Sequence, residues 1–348
     1  MTKHMPALTP DLCREIVTAS LAHLAGPVDE KGYFAYAHPA GDVSAVHHGY
    51  NLLRHCGTLW FMARAVNEVP VAADTDLVQS LVRVTSLIGR KLAAPSWAAP
   101  DRSSLALVTN GAVKLGGLGL ALLALGEAQK IPSLQPLMAG VLPYSLPDTI
   151  ARLRQYTLDE IDSDDFHHMR DFATGAVDPF RSNFFTGEAI YGLLMTGAVT
   201  EDLSRVTTGL LKRGYGWKEQ SHWMAYAACE AVERGVVSDT LGSAYLSGLM
   251  QMILGDTRYR DTRESTPIAC RTEALTRVLR LDRDCPGLFN HGLLDQIRAH
   301  AEENLRLQLH WYAAGQFWKG DDSQRVQIDY IQHNATGYLQ WLQLAKRA

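Results

Sequence analysis

The segment Tyr50–His55 carries four side chains that can move or steer protons, in a stretch whose i, i+3, i+4 and i+7 spacing predicts a helix with one polar face. The predicted polar face consists of His47, Tyr50, Asn51, Arg54, His55 and Thr58. Because His and Tyr can remove and return protons, we expect Tyr50 and His55 to be catalytic groups facing a cavity. Asn51 and Arg54 lie on the same face and are expected to bind the substrate. In the alternative interpretation, Arg54 and His55 only satisfy polar groups at neighbouring helix ends.

A carboxylate, Glu188, falls in the first turn of another predicted helix, directly after the aromatic pair Phe184-Phe185. The helix dipole favours a carboxylate at this position, whereas aromatic walls would raise its pKa toward that of a general acid. Glu188 is therefore a candidate catalytic residue. The alternative is an ordinary capping glutamate at a helix start.

The last predicted helix places Asp329, Gln332 and His333 on one face, because they are spaced i, i+3 and i+4. Asp329 could orient or charge His333, a pairing found in catalysis and in ordinary helix stabilisation. We expect Asp329 to be catalytic. Gln332 and His333 are expected to bind substrate beside it.

Aromatic residues near predicted loops and helix ends could stack on the apolar faces of a sugar, or line a pocket for an isoprenoid. His222 and Trp223 open the eighth predicted helix and are the preferred pair. Phe317 and Trp318 lie in a predicted glycine-bounded loop, 315–322, directly before the helix of Asp329. All four are expected to bind substrate.

The acidic segment 159–168 contains Asp162-Ser163-Asp164-Asp165, which resembles the Asp-x-Asp-Asp motif of class II terpene cyclases. Those enzymes are α/α toroids that protonate an alkene with the middle Asp, so the resemblance implies an alternative catalytic set with Asp164 as the acid. The sequence departs from that pattern at Phe166 and His167, where small or hydroxyl residues are usual. The segment could also attract a divalent ion, but its spacing fits no calcium loop, and we favour a solvated acidic loop.

These residues must be positioned by helices, because the chain has no sustained strand pattern. Start and stop signals such as Thr9-Pro10, Gly126 and Pro286-Gly287 predict twelve helices. The predicted helices span 10–25, 43–68, 73–93, 103–128, 132–156, 184–198, 201–214, 219–234, 238–254, 267–282, 289–307 and 325–346. Twelve such helices would form six antiparallel hairpins closed into an all-α (α/α)6 toroid with the even-numbered helices inside, or else an open superhelical solenoid. Since no long linker divides the chain, we expect a single domain over 1–348.

The fourth predicted helix is nearly uncharged from Leu115 to Leu125 and must be buried on all sides. Glycines weaken a helix, so we expect those in this segment to permit close approach between neighbouring helices. Both features predict an inner-ring helix.

Residues 183–194, together with the twelve-helix order, resemble the six-hairpin glycosidase-like superfamily of α/α toroid proteins. The part from Gly187 to Gly192 is similar to the inner-helix start at which one cellulase-type family places its acid. The resemblance implies a general-acid role for Glu188 and a second carboxylate facing it across a cavity, for which Asp329 is the best candidate. Toroid polysaccharide lyases are similar in residue types to the Tyr50–His55 set.

The charge balance offers no support for nucleic acid or an anionic membrane as partner, because the formal net charge is −4. No secretory signal is recognisable, and the longest apolar run, 115–126, is shorter than the roughly 20 residues that span a bilayer. Five cysteines without close pairing are typical of buried thiols in a reducing compartment, so we expect a cytoplasmic protein. No glycine-rich phosphate loop follows a strand, and we expect neither a metal nor a cofactor. The sequence leaves the oligomeric state open.

The combined pattern predicts an enzyme that performs acid–base chemistry on a carbohydrate or similar polyhydroxylated substrate, as a hydrolase, lyase or epimerase. In the hydrolase version, Glu188 donates a proton to the leaving oxygen, while Asp329, with His333, activates water or stabilises positive charge. One alternative is an isoprenoid cyclase that uses Asp164. The other is a non-catalytic scaffold of helical hairpins whose concave face binds a protein or peptide.

Overall fold

The even-numbered helices of this protein form a closed inner ring. A computed structural model describes residues 7–44, 49–69, 75–97 and 103–345, and these ranges contain twelve α-helices. The helices are α1 Pro10–Ala25, α2 Leu52–Glu68, α3 Thr75–Gly89, α4 Leu115–Ala128, α5 Leu146–Asp159, α6 Phe185–Met195, α7 Glu201–Lys212, α8 His222–Glu233, α9 Asp239–Gly255, α10 Ser265–Asp284, α11 His291–Gln308 and α12 Ile328–Ala345. Each even-numbered helix packs on the next, and α12 packs on α2, which closes the ring. The predicted (α/α)6 toroid is confirmed.

The inner and outer helices of the toroid differ in how many of their residues are buried. In α4 and α6 all but one residue is buried, as expected of helices that are apolar all round. The outer helix α7 instead buries a single stripe, formed by Leu203, Val206, Thr207, Leu210 and Leu211. Within the described ranges, no helix combines the length and apolar character needed to cross a bilayer.

Close packing of α4 against α6 confirms the expected role of the α4 glycines. A Cβ at Gly119 would lie 2.3 Å from the main-chain oxygen of Glu188, and one at Gly192 would lie 2.4 Å from the main-chain oxygen of Gly119. Larger residues at these positions would force the two helices apart. The glycines therefore set the distance at which α6 presents Glu188.

Short strands occupy several helix–helix connections that the sequence pattern left as helix or loop. The strands are β1 Ala37–Pro39, β2 Leu92–Ala93, β3 Ala106–Thr109, β4 Ala112–Lys114, β5 Met169–Asp171, β6 Tyr312–Ala313, β7 Gln316–Gly320 and β8 Ser323–Gln327. They form two antiparallel four-stranded sheets with the orders β1-β8-β7-β6 and β2-β3-β4-β5. Strands of two to five residues are too short to show a period of two, so this part of the prediction was wrong.

Three predicted helix starts were also wrong. The helices predicted at 43–68, 103–128 and 132–156 begin instead at Leu52, Leu115 and Leu146. In the second case, Asn110 and Gly111 adopt positive φ angles of 52° and 76° and turn the β3–β4 hairpin, in which Thr109 pairs with Ala112. Asn-Gly is a strong two-residue hairpin signal, and it was overlooked inside an apolar stretch.

Candidate active site

One cavity opens where the inner helices begin. Its volume is about 370 Å3, and its walls come from the first two turns of α2, α6, α8, α10 and α12 and the residues just before them, with Leu120 from α4. Helix N-termini carry partial positive charge and free N–H groups, which favour polar or anionic ligands. A larger open groove of about 440 Å3 lies between the outer helices α1 and α3, where only Asp76 and Arg83 are charged. The ring cavity, lined by Glu188, Asp329 and His333, is therefore the candidate active site.

The structure brings eight of the predicted site residues together at this cavity. They are Asn51, Arg54, Glu188, His222, Trp223, Asp329, Gln332 and His333. The polar residues of the segments 50–55 and 329–333 thus converge, in part, on one pocket inside a closed ring. This arrangement is expected of an enzyme rather than of an open scaffold.

Glu188 is a buried carboxyl group without a hydrogen-bond partner at one oxygen. Its side chain is 6% exposed, and Oε2 is buried and unpaired. Burial raises the pKa of Glu188 from 4.5 to about 8, partly opposed by the positive charge of His333. The carboxyl group packs directly against Gly116: a Cβ atom added at this glycine would lie 2.1 Å from Oε2. Glu188 is therefore mostly protonated at neutral pH.

An ion pair between Arg54 and Asp329 joins α2 to α12 at the cavity wall. Arg54 Nε lies 3.0 Å from Asp329 Oδ2, and Gln327 Nε2 donates a 2.7 Å hydrogen bond to Asp329 Oδ1. Arg54 also donates from Nη1 to the hydroxyl of Tyr36 at 2.8 Å. These contacts fix the orientation of the Asp329 carboxylate.

His333 pairs with a residue that the sequence pattern did not suggest. Its Nδ1 lies 2.7 Å from Glu273 Oε1, so the predicted pairing of His333 with Asp329 was wrong. Tyr226 donates a 2.6 Å hydrogen bond to the other oxygen of Glu273. Burial lowers the pKa of His333, but Cys270 and the Glu273 carboxylate outweigh burial and raise this pKa well above 6.5. His333 therefore carries a positive charge.

His222 differs from His333 in protonation state although their ring centroids are only 5.2 Å apart. Burial lowers the pKa of His222 well below 6.5, and the charges of His333 and Arg271 lower it further. Its Nε2 is buried without a hydrogen-bond partner. The ring packs on Trp223 with a centroid distance of 4.9 Å. His222 thus presents a neutral imidazole.

Several cavity residues were not singled out from the sequence. They are Glu219, Gln220, Thr266, Cys270 and Arg271. Gln220 has a positive φ of 51°, donates to the main-chain oxygens of Met252 and Asp256, and accepts a 2.9 Å hydrogen bond from Arg271 Nε. Cys270 was expected to be a buried thiol but is half-buried at the cavity. The i, i+3 spacing of Cys270 and Glu273 places both on one face of a helix, and this spacing is the sequence signal from which the pair could have been predicted.

The charged and titratable groups around Glu188 come from four inner helices and from the turn before α8. They are Arg54, Glu219, His222, Cys270, Arg271, Asp329 and His333. Both positive and negative groups line the cavity, which suits a neutral polyhydroxylated ligand better than a strongly charged one.

Tyr50 and His55 lie outside the cavity. Because Asn51 is the N-cap of α2 and accepts from the main-chain N–H groups of Leu53 and Arg54, Tyr50 precedes the helix instead of lying on its polar face. His47 lies outside the described residues. His55 is fully buried, accepts a 2.6 Å hydrogen bond from the Tyr50 hydroxyl at Nδ1 and donates from Nε2 to the main-chain oxygen of Val84 at 2.9 Å. These contacts tie α2 to the outer helix α3.

We expect His55→Ala to lower the free energy of unfolding by about 2–4 kcal/mol, because it leaves a cavity and an unpaired main-chain oxygen at Val84. Turnover of the folded variant should stay within a few-fold of wild type. Urea unfolding followed by circular dichroism measures the first effect. Tyr50→Phe, which keeps the ring and removes the hydroxyl, should cost about 1 kcal/mol. A large loss of turnover with unchanged stability in either variant would contradict this structural role.

The remaining predicted site residues also lie away from the cavity. Phe317 is fully buried in β7 against Tyr312 and Tyr338, and Trp318 follows it in the same strand. Both were predicted to lie in a loop, but they belong to the β7–β8 hairpin, and neither lines the cavity.

Basic side chains contact two carboxylates of the acidic segment 159–168. Asp164 faces Arg213 at 3.6 Å, and Asp165 pairs with Arg181 and accepts a 2.9 Å hydrogen bond from Thr186. Asp162 accepts from the main-chain N–H of Ser163. None of the three carboxylates lines the cavity. An acid at Asp164 would therefore not face a substrate bound there.

The fold agrees with those of carbohydrate-active enzymes of known structure. The sequence matches no protein-family profile and no curated protein. A D-mannose isomerase superposes with a TM-score of 0.68 at 11% identity, covering 96% of this chain and 98% of the isomerase. The cellulase Cel9M of C. cellulolyticum superposes with a TM-score of 0.55 at 10% identity, covering 96% of this chain and 99% of the cellulase. This chain therefore shares the (α/α)6 toroid fold of these two structures.

Proposed function

We propose that the protein is a carbohydrate-active enzyme that protonates an oxygen of a sugar bound in the ring cavity. The observation that carries this proposal is Glu188, a carboxyl group that burial keeps protonated at neutral pH. A general acid needs a proton at the working pH and a substrate within reach. The cavity volume of about 370 Å3 lies within the roughly 300–1,000 Å3 of small-molecule sites and suits a short carbohydrate.

Aromatic and polar walls support a sugar as the ligand. Phe184, Phe185 and Trp223 line the cavity and offer apolar faces to a pyranose ring. Asn51, Gln332 and the Arg54–Asp329 pair offer donors and acceptors for hydroxyl groups. The two proteins of similar fold, a D-mannose isomerase and a cellulase, are both named for reactions on sugars.

Hydrolysis of a glycosidic bond is the reaction that uses both cavity carboxyl groups predicted from the sequence. Glu188 gives its proton to the glycosidic oxygen as the bond from that oxygen to the anomeric carbon breaks. Water adds to the anomeric carbon, and Asp329 takes up the proton that the water releases. Arg54 and Gln327 hold Asp329 in place through this step.

Isomerisation or epimerisation of a small sugar is the second candidate, favoured by the whole-length likeness to a D-mannose isomerase. Here the ionised form of Glu188 takes a proton from the hydroxyl-bearing carbon next to a carbonyl and returns it to the former carbonyl carbon, while the hydroxyl proton moves to the former carbonyl oxygen. In epimerisation, the carbon that lost the proton instead receives one on its opposite face from a second acid in the cavity. A base works best when its pKa lies near the working pH, as that of Glu188 does. The positively charged His333 would stabilise the enediolate.

The direction of the pH dependence separates the two reactions. If Glu188 is the acid of a hydrolase, kcat falls as pH rises through about 8, because the carboxyl group loses its proton. If Glu188 is the base of an isomerase, kcat rises through the same pH. We expect activity in a screen of mono-, di- and oligosaccharides that measures new reducing ends, aldose–ketose conversion and deuterium uptake from D2O. Absence of both turnover and binding for every sugar tested would overturn the proposal.

A further inference from the structure

Four side chains with metal-binding atoms meet at the edge of the cavity. His222 starts α8, Cys270 and Glu273 lie one turn apart on α10, and His333 lies on α12. One ligand atom from each of them lies within 4.8 Å of all the others. In a tetrahedral site with bonds of about 2.0–2.3 Å, ligand atoms lie roughly 3.3–3.8 Å apart. Small side-chain rotations would bring this set onto one ion.

An unpaired nitrogen gives a second, independent indication of a ligand. His222 is 4% exposed, and its buried Nε2 has no hydrogen-bond partner. Leaving a buried polar atom unpaired costs about 1–3 kcal/mol.

The hydrogen bonds behind His333 have the arrangement found around metal-ligating histidines. Glu273 accepts from Nδ1 of His333 at 2.7 Å and from the Tyr226 hydroxyl at 2.6 Å, and Gln340 in turn donates to that hydroxyl. A carboxylate on one ring nitrogen fixes the orientation of the other nitrogen and makes it a stronger ligand. Glu273 itself is fully buried and does not line the cavity.

The donor types select the kind of ion. Two imidazoles and one thiol suit a borderline-soft divalent ion such as Zn2+, whereas Ca2+ and Mg2+ require mostly oxygen ligands. Because His222, Cys270 and His333 all line the cavity, the fourth position of a tetrahedral ion would face the space proposed for the substrate. Three protein ligands and one open position are typical of catalytic rather than structural zinc sites.

We propose that His222, Cys270 and His333 bind one divalent transition-metal ion of the zinc class at the cavity, with Glu273 positioning His333. The ion displaces one proton from His333, at the ring nitrogen that does not contact Glu273, and one from the Cys270 thiol, and both protons are released to water. The fourth position takes water or a hydroxyl oxygen of the ligand. The site revises the expectation from sequence that no metal is bound. It does not depend on the proposed function, because the ion can be measured without any substrate.

The test uses the full chain, stripped with a chelator and then loaded with ZnCl2 or CoCl2. We expect one zinc per chain by mass spectrometry of the metal, and a sulfur-to-metal charge-transfer band in the cobalt form. Cys270→Ser should lose that band and bind zinc at least about 100-fold more weakly, since changes behind the ligands alone cost 10–100-fold. Glu273→Gln should keep the band and weaken binding by about 10–100-fold.

Cys285 provides a matched control, because it is also a free, half-buried thiol and lies outside the cavity. Cys285→Ser should bind zinc as wild type does. Zinc should slow alkylation of Cys270 by iodoacetamide at least about 10-fold and leave Cys285 unaffected, as followed by peptide mapping. No bound zinc, equal affinity in Cys270→Ser, or alkylation of Cys270 that zinc does not change would overturn the proposal. The last result would instead indicate a metal-free thiol–imidazole pair.

Discussion

The Glu188→Gln variant is expected to lose turnover by about 10^2–10^4-fold while its KM changes little. This range is typical when a group that transfers a proton in the transition state is removed. Glutamine preserves the size and polarity of the side chain, so sugar binding at Arg54 and Trp223 should persist. Steady-state kinetics on the best substrate from the sugar screen measures both quantities, and isothermal titration checks binding separately.

The same substitution should also change how stability depends on pH. The unfolded carboxyl group loses its proton near pH 4.5, whereas the folded one keeps it until about pH 8. The unfolded state therefore binds fewer protons between these values, and the free energy of unfolding of the wild type should fall as pH rises from about 4.5 to about 8. The contribution is on the order of a few kcal/mol. Glu188→Gln should lack this contribution.

Glu201→Gln is the matched control, because Glu201 is an exposed carboxylate in the first turn of the outer helix α7. It should leave turnover and the pH dependence of stability unchanged. Full activity in Glu188→Gln would remove Glu188 from the mechanism. A Glu188→Gln protein that unfolds with the wild-type pH dependence would show that burial does not hold the proton on this residue.

Sequence patterns predicted the fold because the signal is repeated many times. Helical spacing occurs in each of twelve segments, and the uncharged stretch from Leu115 to Leu125 allows no position except the inner ring. Helix starts were predicted less well. Asn51 fits the spacing of the polar face and also fits an N-cap, and only the structure shows that it caps α2 and leaves Tyr50 outside the helix.

The candidate site was predicted residue by residue but not as a set of partners. Asp329 and His333 are neighbours on one helix face, so local spacing suggested that they pair. The partner of His333 is Glu273, which lies 60 positions earlier in the chain. Arg54 and Asp329 meet only because α12 closes the ring against α2. Contacts between helices that are distant in sequence cannot be derived from the periodicity of either helix.

Gly119→Ala is expected to destabilise the protein by about 3 kcal/mol or more, although alanine is the better helix former. A Cβ at Gly119 would lie 2.3 Å from the oxygen and 2.4 Å from the carbon of the Glu188 main chain. Main-chain atoms of a neighbouring helix cannot rotate away as a side chain can. Relief of this clash requires α4 and α6 to separate, and urea unfolding measures the cost.

Gly117, two residues earlier in the same helix, provides the control. A Cβ there would meet only side-chain carbons of Leu53 and Leu107, at 3.3 Å or more, so Gly117→Ala should change stability by less than about 1 kcal/mol. Because the clash at Gly119 falls on Glu188 itself, Gly119→Ala should also displace this carboxyl group and lower turnover, whereas Gly117→Ala should not. Equal stability of the two variants would mean that the approach of α4 to α6 does not depend on glycine.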